Sequence, residues 1–176
     1  MFFKKKRKEY AQNDLSINEQ DIQTLEQESS DEEHGIIRKE NILLNLESIE
    51  KEEAVKMAGE LLVKSGYVEE GYIQAMLERE KIVSTYIGNG VAIPHGIGAS
   101  KDKIKRSGIV VLQFPEGVEF GDDNKAYLIL GIAGKDNEHL TILSNIALSL
   151  EDTNIVEKLV KTKDADFILS IFAANH

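Results

Sequence analysis

The chain contains no cysteine. That excludes disulfides, thiolate nucleophiles and cysteine-ligated zinc, and it makes a reducing cytoplasm the expected home. Long apolar runs are missing too: Gly108 to Phe114 and Tyr127 to Ala133, the most apolar segments, fall far short of the ~20 residues a membrane-spanning helix needs. The basic start leads into polar sequence rather than an apolar stretch, so no secretion signal is expected. Basic residues are outnumbered, with 21 Lys and Arg against 31 Asp and Glu for a net charge of −10. A surface of that sign repels phosphate backbones, and no nucleic-acid partner is expected. The chain also lacks a Walker loop, a Gly-x-Ser-x-Gly elbow and histidines paired at zinc spacing. No cofactor or metal is expected, and any chemistry should centre on histidine.

What is present suits a globular protein. The 176 residues, 41% apolar and 30% charged, are enough for one domain of ordinary size with something left over. The surplus lies at the start. Residues 1–36 open with the basic cluster Lys4, Lys5, Lys6, Arg7 and Lys8, and from Glu9 to Gly35 they carry nine acidic residues and no Lys or Arg. The sparse apolar residues Leu15, Ile17, Ile22 and Leu25 cannot offset the entropy of ordering such a segment, so a flexible extension is expected. The basic cluster is either a weak foothold on an anionic membrane surface or a solvated charge run.

Residues 37–176 read as the compact domain. Ile42, Leu44 and Leu46 alternate as in a strand. Ala54, Met57, Ala58, Leu61 and Leu62 recur at helical spacing, with Glu50, Glu52 and Glu53 in the first turn and Gly66 as a stop. A second helix is predicted over Glu70–Glu80, with Ile73, Met76 and Leu77 inward and Arg79 near its end. Ser84 to Gly96 forms two extended runs around a Gly88-Asn89-Gly90 turn and stops at Pro94-His95-Gly96. Pro94 fixes its own φ and extends Ile93, while Gly96 leaves room beside His95. After a loop or short turn over Ile97–Arg106, Gly108–Phe114 reads as a strand ended by Pro115-Glu-Gly117. A Gly121–Asn124 turn and a strand over Tyr127–Ala133 follow. Asn137 is placed to cap a helix whose inner face is Leu140, Leu143, Ile146, Ala147 and Leu150. Two short helices, about 154–161 and 164–174, close the chain. The alternation predicts an α/β fold: a mixed central β-sheet flanked by helices in a three-layer-like single domain.

Of the four histidines, His34 lies in the acidic extension and His176 is the last residue, which makes both solvated bystanders. His95 and His139 fall at junctions between strands and the segments that follow, where α/β domains place working residues. A neutral imidazole is a competent nucleophile near pH 7. Each is either functional or a hydrogen-bonded structural histidine, and Arg79 on its own is an ordinary helix-end arginine.

Four stretches, Tyr72–Glu80 (YIQAMLERE), Ser84–Gly96 (STYIGNGVAIPHG), Phe114–Gly117 (FPEG) and Gly131–His139 (GIAGKDNEH), resemble the enzyme IIA component of the bacterial sugar phosphotransferase system. The match is to its mannitol/fructose class, and above all to its mannitol-specific members. The resemblance runs from about Glu40 to the C-terminus, in order and spacing. It implies that His95 accepts a phosphoryl group from the phosphocarrier protein HPr and passes it to a cysteine of a mannitol-class EIIB or EIICB. It implies that His139 is a second active-site histidine and Arg79 an active-site arginine, whose planar fork suits the charge spread over a transferring phosphoryl group. With no cysteine and no membrane helices, the chain itself is expected to be a IIA unit. Many relatives carry a polar residue where this chain has Ile97; backbone N–H groups are expected to hold the phosphoryl group in its place. The alternative is a regulatory module like the nitrogen-related enzyme IIA proteins, which control partners by phosphorylation state. A third reading, an unphosphorylated binding domain, leaves His95, His139 and Arg79 without a purpose.

Overall fold

The computed structural model describes residues 35–173. The expected flexible extension therefore lies outside the described residues, apart from Gly35 and Ile36, as do Lys4–Lys8, His34 and His176.

Five strands form one mixed sheet: β1 (Ile42–Leu43), β2 (Tyr86–Gly88), β3 (Val91–Ala92), β4 (Gly108–Glu119) and β5 (Lys125–Ala133), in the order β1-β4-β5-β3-β2. β4 and β5 form an antiparallel ladder running from Gly108↔Ala133 to Glu119↔Lys125. β1 joins β4 and β3 joins β5 in parallel, and β2 pairs antiparallel with β3. The helices are α1 (Lys51–Lys64), α2 (Gly71–Ile82), α3 (Glu138–Ser149), α4 (Thr153–Lys161) and α5 (Ala165–Ala173).

Side-chain alternation along the two long strands divides the core. Val110, Leu112 and Phe114 meet Ala58, Leu62 and Met76 from α1 and α2 on one face. Ile109, Val111, Leu128, Leu130 and Ile132 meet Ile142, Ile146, Leu159 and Phe172 from the last three helices on the other. Three layers result because successive strand residues point to opposite faces and both faces are apolar.

The expected elements are present with four adjustments. β1 is shorter than the pattern over 42–46, because Asn45 turns to φ 53° and its N–H leaves the ladder for the Gln113 side chain at 2.9 Å. Pro115 does not end β4: the register shifts between Gln113 and Val118, and the exposed Pro115 and Glu116 sit in that irregularity. A bulge tolerates a residue that cannot donate to the ladder. The 97–106 segment contains a 3-10 turn at Gly98–Lys103. α3 buries Ile142 and Ile146, with Leu150 buried just past its end and Leu143 half-buried beside them, while Leu140, 66% exposed, and Ala147 face outward.

Candidate active site

β3 delivers the site. Gly88-Asn89-Gly90 makes the expected turn, all three at positive φ, and the chain then runs through Val91 and Ala92 to Pro94. Ile132 at the end of β5 donates its N–H to the Pro94 carbonyl (3.0 Å), and His95 sits opposite Ile132 in a parallel bridge. His95 is half-buried. Its Nδ1 lies 2.7 Å from the Ile93 carbonyl. A carbonyl only accepts, so Nδ1 carries the proton and Nε2 keeps the lone pair. Burial is the main cause that holds the pKa of His95 below the ordinary 6.5, and the positive field of Arg79 acts in the same direction. The bond to Ile93 and the negative Glu80 oppose them. The ring is therefore neutral at pH 7, with its nucleophilic nitrogen at Nε2.

Gly96 was expected to leave room for an approaching group, but that space is already filled by protein. A Cβ there would lie 2.5 Å from both the Tyr72 ring and Ser100 Oγ. The buried Tyr72 receives the Gly96 N–H on its hydroxyl at 2.8 Å and donates that hydroxyl to the Ile132 carbonyl at 2.7 Å. The backbone donor next to His95 is thus engaged. The Ile97 carbonyl accepts from the N–H and the hydroxyl of Ser100, which shapes the turn that follows.

Arg79 lies in the last turn of α2 and donates Nη1 to the Val83 carbonyl at 2.7 Å. Its acidic neighbours are occupied elsewhere. Glu78 accepts from Gln74, and Glu80 turns inward to accept the N–H and hydroxyl of Thr85 and to pair with Lys51 at 3.0 Å. The guanidinium keeps its charge and most of its donors for the pocket.

His139 is in the first turn of α3. Asn137 stands at the predicted cap position, but its side chain makes no capping bond. The connection is held instead by Ser107, whose hydroxyl donates to the Glu138 carboxylate and accepts the Lys135 N–H. Gly134 permits the close turn: a Cβ there would lie 2.3 Å from both Cα and Cβ of His139. His139 Nδ1 is buried without a hydrogen-bond partner, leaving Nε2 as the ring nitrogen able to serve a ligand.

Arg79, His95 and His139, spread over 60 positions of sequence (139 − 79), line one pocket of about 280 Å³ together with Tyr72, Ser100 and Lys101. Sequence reasoning did not single out Tyr72 or Lys101. Tyr72 reads as a core aromatic, and Lys101 is one of several basic residues in an apparent loop. Among the described residues no three His, Asp or Glu side chains converge as metal ligands would. The pocket offers one nucleophilic nitrogen, two cationic side chains and a second imidazole, a set suited to receiving and releasing a small dianion.

Residues 35–175 match the family model described as phosphoenolpyruvate-dependent sugar phosphotransferase system, EIIA 2. The chain is 50% identical over 136 residues to the mannitol-specific phosphotransferase enzyme IIA component of Geobacillus stearothermophilus, covering 77% of this chain and 94% of that protein. It is 48% identical over 137 residues to the protein of the same name from Bacillus subtilis (strain 168), covering 78% and 96%. Among solved structures it resembles the complex of enzyme IIAMTL and phosphorylated enzyme IIBMTL from Escherichia coli, with a TM-score of 0.75 and 42% identity over 78% of this chain and 99% of that one. A chain matched over most of its length, with the same fold and a histidine-centred pocket, belongs to the EIIA 2 family of the phosphoenolpyruvate-dependent sugar phosphotransferase system.

Proposed function

We propose that this chain is the phosphoryl carrier of mannitol uptake, taking phosphate from HPr phosphohistidine onto His95 Nε2 and passing it to the cysteine of a mannitol-class EIIB. The observation that carries the reading is the tautomer of His95: with Nδ1–H committed to Ile93, the lone pair of Nε2 attacks phosphorus. A P–N bond forms at Nε2 as the P–N bond of the donor breaks, and its electron pair returns to the donor imidazole. In the second step the EIIB thiolate attacks, the S–P bond forms, and the pair from the breaking bond returns to Nε2. Arg79 neutralises the equatorial oxygens throughout. His139, with its proton on Nε2, donates to the same oxygens, which spares a buried N–H at Nδ1.

The relatives at 50% and 48% identity carry mannitol in their names, which favours the transport reading over a regulatory one. A cytoplasmic location follows from the partners, and no helix among the described residues is long and apolar enough to cross a membrane. The domain of 37–176 is sufficient for the chemistry, with 1–36 an extension outside it.

The test uses HPr phosphohistidine and a mannitol-class EIIB. Label enters in an acid-labile, base-stable form, is absent in His95→Ala, and moves onto the EIIB. Label that persists in His95→Ala contradicts the site, and label that no sugar EIIB accepts turns the reading toward regulation. Removing residues 1–35 leaves the rate within about twofold, the size expected when only solvated charge is lost.

A further inference from the structure

The residues on either side of His95 are tied to one residue, Ile132. Pro94 accepts the Ile132 N–H directly. Gly96 is tied through the Tyr72 hydroxyl, which takes the Gly96 N–H at 2.8 Å and gives its own proton to the Ile132 carbonyl at 2.7 Å. The Tyr72 ring also occupies the space a side chain at position 96 would need. The histidine is thereby held from both sides while its ring is aimed by the Nδ1–H bond to Ile93. We propose that the Tyr72 hydroxyl is a positioning residue for phosphoryl transfer, fixing the backbone at Gly96 and through it the aim of His95 Nε2 into the pocket.

Three features support this role. The hydroxyl must donate and accept at once, which only the neutral phenol can do. Burial pushes its pKa up to about 12 against the lowering effect of the Gly96 bond, so it stays neutral across the working range. The tie bridges elements far apart in sequence, since Tyr72 is 24 residues from Gly96 and 60 from Ile132, and it therefore holds the loop to the sheet rather than to itself. The demand is also high: in-line transfer between two proteins tolerates little error, and a displacement of about 1 Å can cost roughly 100-fold in rate.

The proposal rests on His95 as the acceptor, and Tyr72→Phe tests it, with Tyr67→Phe as the control. Tyr67 is likewise fully buried, and its hydroxyl accepts from Asn41 at 3.0 Å, but it lies outside the pocket. Tyr72→Phe should lower kcat for acceptance from HPr phosphohistidine about tenfold at unchanged KM. It should also shift the His95 ring 15N resonances toward mixed tautomers and speed exchange of the Gly96 amide. Tyr67→Phe should leave all three as in the unaltered protein, even if it melts lower. An unchanged kcat and unchanged 15N signals in Tyr72→Phe overturn the proposal. So does rapid Gly96 amide exchange in the unaltered protein, a measurement that stands even if Tyr72→Phe fails to fold. If the unaltered protein takes no label on His95, the acceptor reading fails, and the exchange and 15N results still decide whether Tyr72 fixes the loop.

Discussion

Two depressions sit toward opposite ends of the β4–β5 ladder, and the smaller one gathers the residues of the proposed site. The larger, about 890 Å³, lies past Gln113 and is walled by Leu44, Pro115, Tyr127, Val156 and Val160, with Lys161 and Glu157 at its edge. No histidine lines it, and of its two lysines, Lys161 and Lys163, the first is paired with Glu157 at 2.5 Å. The smaller, about 280 Å³, lies where Gly108 meets Ala133 and combines His95, His139, Arg79 and Lys101. Size alone does not mark a site; receiving a dianion needs groups whose charges are left over for a ligand. At one end Lys161 and Glu157 pair with each other and no imidazole stands beside them; at the other Arg79 and Lys101 line the same pocket as two imidazoles.

The contrast can be broken in several ways, beginning with the largest effect. Arg79→Ala should reduce phosphoryl acceptance by about 10²–10³, the usual cost of deleting a donor that faces developing charge. It should also raise the His95 pKa, because the Arg79 field helps lower it; NMR titration reads the second effect. Arg79→Lys should recover only part of the rate, since a point charge replaces a fork. Gly134→Ala should cost roughly tenfold in transfer and about 1–3 kcal/mol in stability. The new Cβ can be accommodated only by moving the backbone of His139; denaturant melts and single-turnover rates separate the two losses.

The pH dependence should be asymmetric. Folding lowers the His95 pKa from 6.5, so the unfolded chain binds the proton more readily. The contribution to stability is fully present above pH 6.5 and is lost as pH falls through the folded value. His95→Gln should flatten that acid-side loss, and acceptance by the unaltered protein should persist below pH 6.5, where a free imidazole is mostly protonated. The smallest effect belongs to the other end of the sheet: Lys161→Ala should leave transfer within about twofold, because an exposed pair contributes little. A large loss there would break the comparison.

Much of this was legible in sequence. The helix over 51–64 follows from its apolar spacing and ends as expected at Gly66, which takes φ 78°. The Pro94-His95-Gly96 stop was equally clear, because proline and glycine narrow the backbone choices. The inner face of α3 was legible only in part: Leu143, Ile146 and Leu150 pack toward the core as expected, whereas Leu140 and Ala147 face outward and Ile142 takes their place. Apolar residues at 140, 142, 143, 146, 147, 148 and 150 surround that helix, so periodicity cannot choose a side, and the sheet selects Ile142, Ile146 and Leu150. Pro115 misled for a related reason: only the partner strand shows that the register slips there. Tyr72 and Gly96 were each visible, but they lie 24 positions apart and their bond depends on the path of the chain between them. Chain-local rules placed His95 at a strand end and the family resemblance gave it a role; the bond that ties its neighbour Gly96 to the sheet appeared only in three dimensions.

The most direct test is to locate the phosphoryl group itself. The protein is labelled from HPr phosphohistidine and the P–N linkage is read by 31P and 15N NMR. The tautomer set by Ile93 predicts phosphorus on Nε2 of His95, with His139 unmodified. Phosphorus on Nδ1 of His95, or on His139, would contradict the account.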